Sequence, residues 1–214
     1  MSDTPDPLAV TPGEPIDLRA LFSQDAEVEI EIGFGKGRFL IERSNAQPTS
    51  HLLGIEIRPK WAKLVQERCQ RENLANVRVI AGNCLEIVPC LGPDSTVQRV
   101  FIHFPDPWWK RRHAKRKVVG ETLVSQIARL LVPAGELFLQ TDVEERAFEY
   151  LAVLRAHGGF KLGSDSGLVG GNPYLARSNR EVQADKDGLP VYRILAQRAE
   201  EPPAIAIKVE NGRF

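Results

Sequence analysis

The first arrangement in this chain able to do chemistry is an apolar strand running into an acid, flanking prolines and a tryptophan pair: residues 101–117 read FIHFPDPWWKRRHAKRK. Six of the eight positions 110–117 are basic (Lys110, Arg111, Arg112, Lys115, Arg116 and Lys117) and none is acidic. The strand pattern predicts that Asp106 is delivered to the C-terminal end of the strand, where open α/β sheets hold their ligands. The adjoining positive charge exceeds what a small molecule needs and suits a phosphate backbone. Trp108 and Trp109 either stack an extruded base or pack rigidly beneath the loop.

A second constellation, Glu31-Ile-Gly33-Phe-Gly35-Lys-Gly37, falls where a β-branched run gives way to a helical pattern. Glycines at such a turn let a ligand approach the backbone. A turn built for a pyrophosphate has the spacing GxGxxG. Here the spacing is GxGxG and an acid precedes it. A carboxylate there repels a pyrophosphate and attracts a cation, so S-adenosylmethionine, with its sulfonium and ammonium groups, fits better than a dinucleotide. Glu56 closes the next strand and can accept both hydroxyls of a ribose, or is a solvated strand-end acid. Asn83 offers a donor and an acceptor to an adenine edge, or simply occupies a turn. Asp142 ends the fifth strand on the same rim as Asp106, where it either grips a substrate or caps the helix that follows. Ser178, Asn179, Arg180 and Glu181 bring a hydroxyl and a carboxylate suited to a base edge, although taken alone they read as a polar loop. His103 reads as a core residue rather than a ligand or base.

These residues need a scaffold. The pattern predicts strands over Val28 to Ile32, His51 to Ile57, Val77 to Ala81, Val97 to Phe104, Glu136 to Gln140, near Phe160, and over Pro190 to Gln197. Helices are predicted between them over Arg38 to Asn45, Pro59 to Asn73, Lys117 to Leu131 and Val143 to His157. Such alternation demands a parallel sheet covered on both faces. The chain of 214 residues, 43% apolar, fits one such domain. It divides into a loose N-terminal arm over 1–25 with one helical turn near Leu18 to Phe22, a domain over 26–198 containing a glycine-rich open loop after Gly158, and an extension over 199–214.

Lys plus Arg and Asp plus Glu both total 28, so setting aside the six basic residues of 110–117 leaves 22 against 28, a balance of −6 elsewhere. Positive charge is therefore local, as in a protein that binds nucleic acid through one patch. Three cysteines without a CxxC pair, and a start lacking a signal-peptide pattern, predict reduced thiols and a cytoplasmic location. The scattered histidines and cysteines predict no metal site. No apolar run approaches the roughly 20 residues of a membrane span.

Together EIGFGKG, GIEI, FPDPWWKRRHAKRK, TD, and a Ser-x-x-Glu followed by GLPVYR resemble the tRNA (guanine-N7-)-methyltransferase family over residues 27–198. The resemblance implies a single Rossmann-like class I methyltransferase domain, with a mostly parallel seven-stranded sheet, an antiparallel last strand and helices on both faces. It implies methyl transfer from S-adenosylmethionine to N7 of a guanosine in the tRNA variable loop. Glu31, Glu56, Asn83 and Asp106 match the family's cofactor positions, beside the glycines Gly33, Gly35 and Gly37, and Asp106 also matches its proposed catalytic residue. Lys110, Asp142 and Ser178 to Glu181 match its substrate positions, and Arg111, Arg112, Lys115, Arg116 and Lys117 would hold the RNA backbone. Two positions depart from the pattern: Ser178 and Arg180 stand in a motif that is usually Thr-x-aromatic-Glu, and Asn83 stands where Asp is frequent. An Arg plane can stack on a base in place of an aromatic ring. The alternatives are an enzyme of the same class acting on another RNA and a non-catalytic RNA-binding relative; Glu31 before GxGxG argues against a nucleotide-dependent oxidoreductase.

Overall fold

Seven strands form one sheet in the computed structural model, which describes residues 7–11, 13–22, 27–105 and 118–200. The strands are β1 (Val28–Ile32), β2 (His51–Glu56), β3 (Val77–Ala81), β4 (Val97–His103), β5 (Leu131–Thr141), β6 (Phe160–Leu162) and β7 (Tyr192–Arg198). Their spatial order is β3-β2-β1-β4-β5-β7-β6. The first five are mutually parallel, and β7 runs antiparallel to both of its neighbours. The expected α/β class I arrangement is therefore present. Asp106, Trp108, Trp109 and the basic run from Lys110 to Lys117 lie outside the described residues, as does the tail from 201 onward.

Alternation along the strands sorts side chains into two layers. Ile30, Ile32, Leu53, Ile55, Val100, Ile102, Leu137, Leu139 and Ile194 form one apolar face. That face is covered by α5 (Glu121–Leu130) and α6 (Glu144–His157) through Leu123, Val124, Ile127, Leu151 and Leu154. The opposite face meets α2 (Arg38–Ala46) and α3 (Pro59–Arg71), which contribute Leu40, Ile41, Ala62, Val65 and Cys69. In α3 the buried residues recur at helical spacing, and Pro59 opens the first turn, where its missing N–H costs nothing. An aromatic cluster of Phe39, Phe101, Phe138 and Tyr174 fills the rest of this face.

The structure departs from the expected elements where local chemistry overrides periodicity. Helix α5 ends at Leu130 rather than Leu131, and β5 begins at once and runs 11 residues. Pro133 disfavours helical backbone just before it. Leu131 pairs instead with Val97. Ser178 to Glu181 is not a loop: Asn179–Lys186 forms α7, whose buried side includes a carboxylate, Glu181, and so lacks an apolar signature. A short helix, α4, spans Cys84–Ile87. The described part of the arm is docked rather than loose. Leu8 N–H donates to the Val79 carbonyl at 2.8 Å, Ile16–Asp17 pairs with Leu91–Gly92, the expected helical turn is α1 (Leu18–Leu21), and Phe22 stacks on His51 with ring centroids 4.7 Å apart. No helix among the described residues is long and apolar enough to cross a membrane.

Burial pushes the thiols of Cys69 and Cys84 up from 9.0 to about 11. The folded chain therefore keeps protons that the unfolded chain releases, so this contribution to stability is complete below the unfolded value and is lost as pH rises through the folded one. We expect the melting temperature to fall between pH 9 and pH 11, and the Cys69→Ala/Cys84→Ala variant to show a shallower fall in the same calorimetric series.

Candidate active site

A cleft of about 1080 Å³ opens at the C-terminal ends of β1, β2, β4 and β5. Its floor is the turn between β1 and α2, where Gly33, Gly35 and Gly37 have φ of 77°, 55° and 71°, left-handed conformations open to glycine at little cost. Glu56, at the end of β2, fixes this turn from the side. One of its oxygens accepts the Gly35 N–H at 2.8 Å and the other accepts the Arg58 N–H at 2.9 Å. A carboxylate has about four lone-pair sites, so the group is anchored with acceptor capacity left over.

Glu31, the last acid of β1, is 2% exposed, and its Oε1 lies 3.0 Å from Nδ1 of His103 at the end of β4. A carboxylate acceptor assigns the proton to Nδ1, so His103 donates. Glu31 Oε2 and His103 Nε2 are buried without a hydrogen-bond partner among the described residues. An unmet buried acceptor costs roughly 1–3 kcal/mol. An ammonium entering the cleft would relieve that cost at Glu31, so the residues present fit a cationic ligand.

Across the cleft Asp142 follows β5. It does not cap α6, whose N-cap is Val143 with no side-chain cap bond; Thr141 Oγ1 accepts the Val143 N–H instead, at 3.2 Å. Asp142 is held by Arg180, whose Nε donates to Oδ2 at 2.9 Å while Nη2 reaches the same oxygen. Ser178 caps α7 by accepting the Glu181 N–H at 3.1 Å. Asn83 caps α4 by accepting the Leu85 N–H at 3.1 Å and donates to Glu86 at 3.0 Å, which leaves part of its amide capacity open. Exposed Ile57 and Leu85 add apolar surface to the lining beside Glu56 and Asn83.

Of the residues singled out from sequence, Glu31, Gly33, Gly35, Glu56, Asn83, Asp142, Ser178, Asn179 and Arg180 converge on this cleft. Gly37 lies beneath the turn against Val65, and Glu181 is buried away from the lining. Its carboxylate accepts from Gln140 at 2.8 Å, Arg193 at 2.9 Å and Asn172 at 2.9 Å. His103 is the addition that sequence reading passed over. Its place within the fourth strand suggested a core residue, and it is indeed buried, but strand register brings it beside Glu31 on the cleft wall. Among the described residues no cluster of His, Cys, Asp and Glu could hold a metal ion.

A family model described as a putative methyltransferase matches residues 25–194. A tRNA (guanine-N(7)-)-methyltransferase of Trichormus variabilis is 34% identical over 193 residues, covering 88% of this chain and 90% of its own. The chain belongs to the tRNA (guanine-N7-)-methyltransferase family. A second member, from Nitrosococcus oceani, is 35% identical over 186 residues, covering 86% of this chain and 77% of its own. The fold is shared more widely: the 16S rRNA methyltransferase KamB superposes with a TM-score of 0.62 at 16% identity, over 85% of this chain and 92% of that one.

Two substitutions separate turn from network. A Cβ at Gly37 would lie 2.5 Å from Val65 Cγ2, at a φ of +71°. Strain and overpacking together make Gly37→Ala cost about 2 kcal/mol or more in urea unfolding. Glu181→Ala leaves Arg193 without its carboxylate and costs about 3 kcal/mol in the same measurement.

Proposed function

We propose that this protein transfers a methyl group from S-adenosylmethionine to N7 of a guanosine in the variable loop of tRNA, in the cytoplasm. The observation that carries the reading is the buried, unpaired oxygen of Glu31 beside a glycine turn, in a chain of this family. When bound, S-adenosylmethionine supplies an electrophilic methyl group on a sulfonium. Glu31 would accept its ammonium, Glu56 its ribose hydroxyls through the lone pairs left after anchoring the turn, and Asn83 would meet its adenine edge. Ile57 and Leu85 suit the faces of that ring.

Guanine N7 carries a lone pair and no proton. The displacement forms a bond from N7 to the methyl carbon and breaks the carbon–sulfur bond, whose electrons stay on sulfur and leave a neutral thioether. No general base is needed to begin it, so positioning does most of the catalytic work. Asp142, oriented by Arg180, would accept from the guanine's N1–H or exocyclic amine, and the guanidinium plane of Arg180 can lie against the base. Asp106 would share this task or stabilise the positive charge that spreads over the purine ring. Lys110 and the basic residues Arg111, Arg112, Lys115, Arg116 and Lys117 would bind the RNA, and the fold of the tRNA rather than duplex base edges would set selectivity.

The test is nucleoside mass spectrometry of unmodified tRNA after incubation with labelled S-adenosylmethionine. N7-methylguanosine is expected with the native chain and absent with Asp106→Ala, and Glu31→Ala should weaken donor binding at least tenfold by calorimetry. Tight tRNA binding without any methyl incorporation would overturn the reading in favour of a non-catalytic RNA-binding protein.

A further inference from the structure

A second groove, of about 590 Å³, adjoins the cleft and is lined by Lys36, Arg38, Trp61, Leu64, Arg68 and Asn179, with one acid, Glu42, among them. Lys36 and Asn179 belong to both linings, so the two are continuous. Helix α3 presents Trp61, Leu64 and Arg68 to this groove at spacings of three and four, while Ala62, Val65 and Cys69 point into the core. A tryptophan and a leucine that is 43% exposed on the outward side of a charged helix are not explained by core packing.

The helix that carries Trp61 is mostly basic. Positions 58–71 hold five basic residues (Arg58, Lys60, Lys63, Arg68 and Arg71) and one acid, Glu67, in a chain whose 28 basic and 28 acidic residues balance at zero. Lys36 Nζ sits 5.6 Å from the Trp61 ring centroid. Arg38 and Arg68 are engaged by Glu42 and Glu72, each at 2.7 Å, in half-exposed pairs one helical turn apart. Pairs of this kind are worth little in water, so a polyanion can draw both guanidiniums away. An aromatic plane flanked by exchangeable cations is the makeup of a surface that binds single-stranded nucleic acid by stacking and phosphate contact.

We infer that this groove is a second RNA-binding surface, in which Trp61 stacks an unpaired nucleotide of the substrate while Lys36, Arg38 and Arg68 hold the flanking phosphates, guiding the strand into the cleft across Lys36 and Asn179. The inference rests on the proposed RNA methyl transfer and adds where the strand lies before it reaches the cleft. It needs no bond made or broken. The residues of this groove are not those of the basic run at 110–117, so they require their own variants.

The experiment compares the native chain with Trp61→Ala, Trp61→Phe and Arg68→Gln, using unmodified tRNA transcript as probe. Trp61→Ala should raise the KM for tRNA about tenfold, within the range seen when one stacked base is lost. Its kcat and its affinity for S-adenosylmethionine should stay within about twofold of native, as expected for a contact outside the reacting atoms. Trp61→Phe should recover most of the loss, which a role in folding alone would not produce. Arg68→Gln should lower the slope of log affinity against log salt by about one, the signature of one phosphate contact. Native methyl transfer with unchanged KM and salt slope in these variants would overturn this inference alone. A native chain that transfers no methyl group to tRNA would overturn the functional reading beneath it.

Discussion

Glu56 ties together the two loops that make the cleft. Its side chain grips the backbone of the glycine turn after β1 and the backbone that opens α3. Without it the Gly35 N–H would be left unpaired at a place where the chain already occupies left-handed conformations. Because both bonds go to main-chain N–H groups, they do not depend on the side chains of Phe34, Lys36 and Arg58, while the three glycines are required by their positive φ. The same carboxylate keeps acceptor capacity toward the cleft, which under the proposed function would serve a ligand hydroxyl.

The other constraint lies one strand over. The run Val-Glu-Ile-Glu-Ile of β1 has the alternation of a strand with one wet face, yet all five residues are buried. Glu29 is neutralised by Arg43 from α2, at 2.8 and 2.6 Å, and by Arg99 from β4, at 2.9 Å. Tyr174 closes the same group by donating to Glu136, which also pairs with Arg99. Removing one member of a buried pair costs more than the pair contributes, because a charge is stranded. Glu31, two residues along and on the same face, has only the His103 hydrogen bond among the described residues, and one of its oxygens is unmet by them. The contrast between two equally buried acids, one saturated and one not, separates the structural carboxylate from the one suited to a ligand.

Much of this was legible in the residues themselves. Strand and helix alternation gave the sheet and both of its faces, and the spacing of the acid and the glycines marked the turn that floors the cleft. What stayed hidden shares a physical cause, since each missed feature depends on contacts between elements far apart in the chain. Helix α7 buries a carboxylate against Gln140 and Arg193, so hydrophobic periodicity could not reveal it. His103 meets Glu31 across 72 positions of sequence. Asn83 and Ser178 proved to be helix caps, roles visible only once the helices that follow them are known. The arm's attachment depends on Leu18, which is fully buried although its neighbours are polar.

Strand β7 runs against its neighbours. A reversed strand starts at the rim where the parallel strands finish, so the segment just ahead of it, including Arg180, arrives at the opening without another crossover. The glycine turn, Glu56 and the stretch from Asn83 to Leu85 line the cleft from the first 85 residues, whereas Asp142 and Arg180 belong to the later part of the chain. Under the proposed function, the contacts that Asp142 and Arg180 offer an acceptor would change with that late stretch, while the glycine turn and the carboxylate that holds it stay as they are.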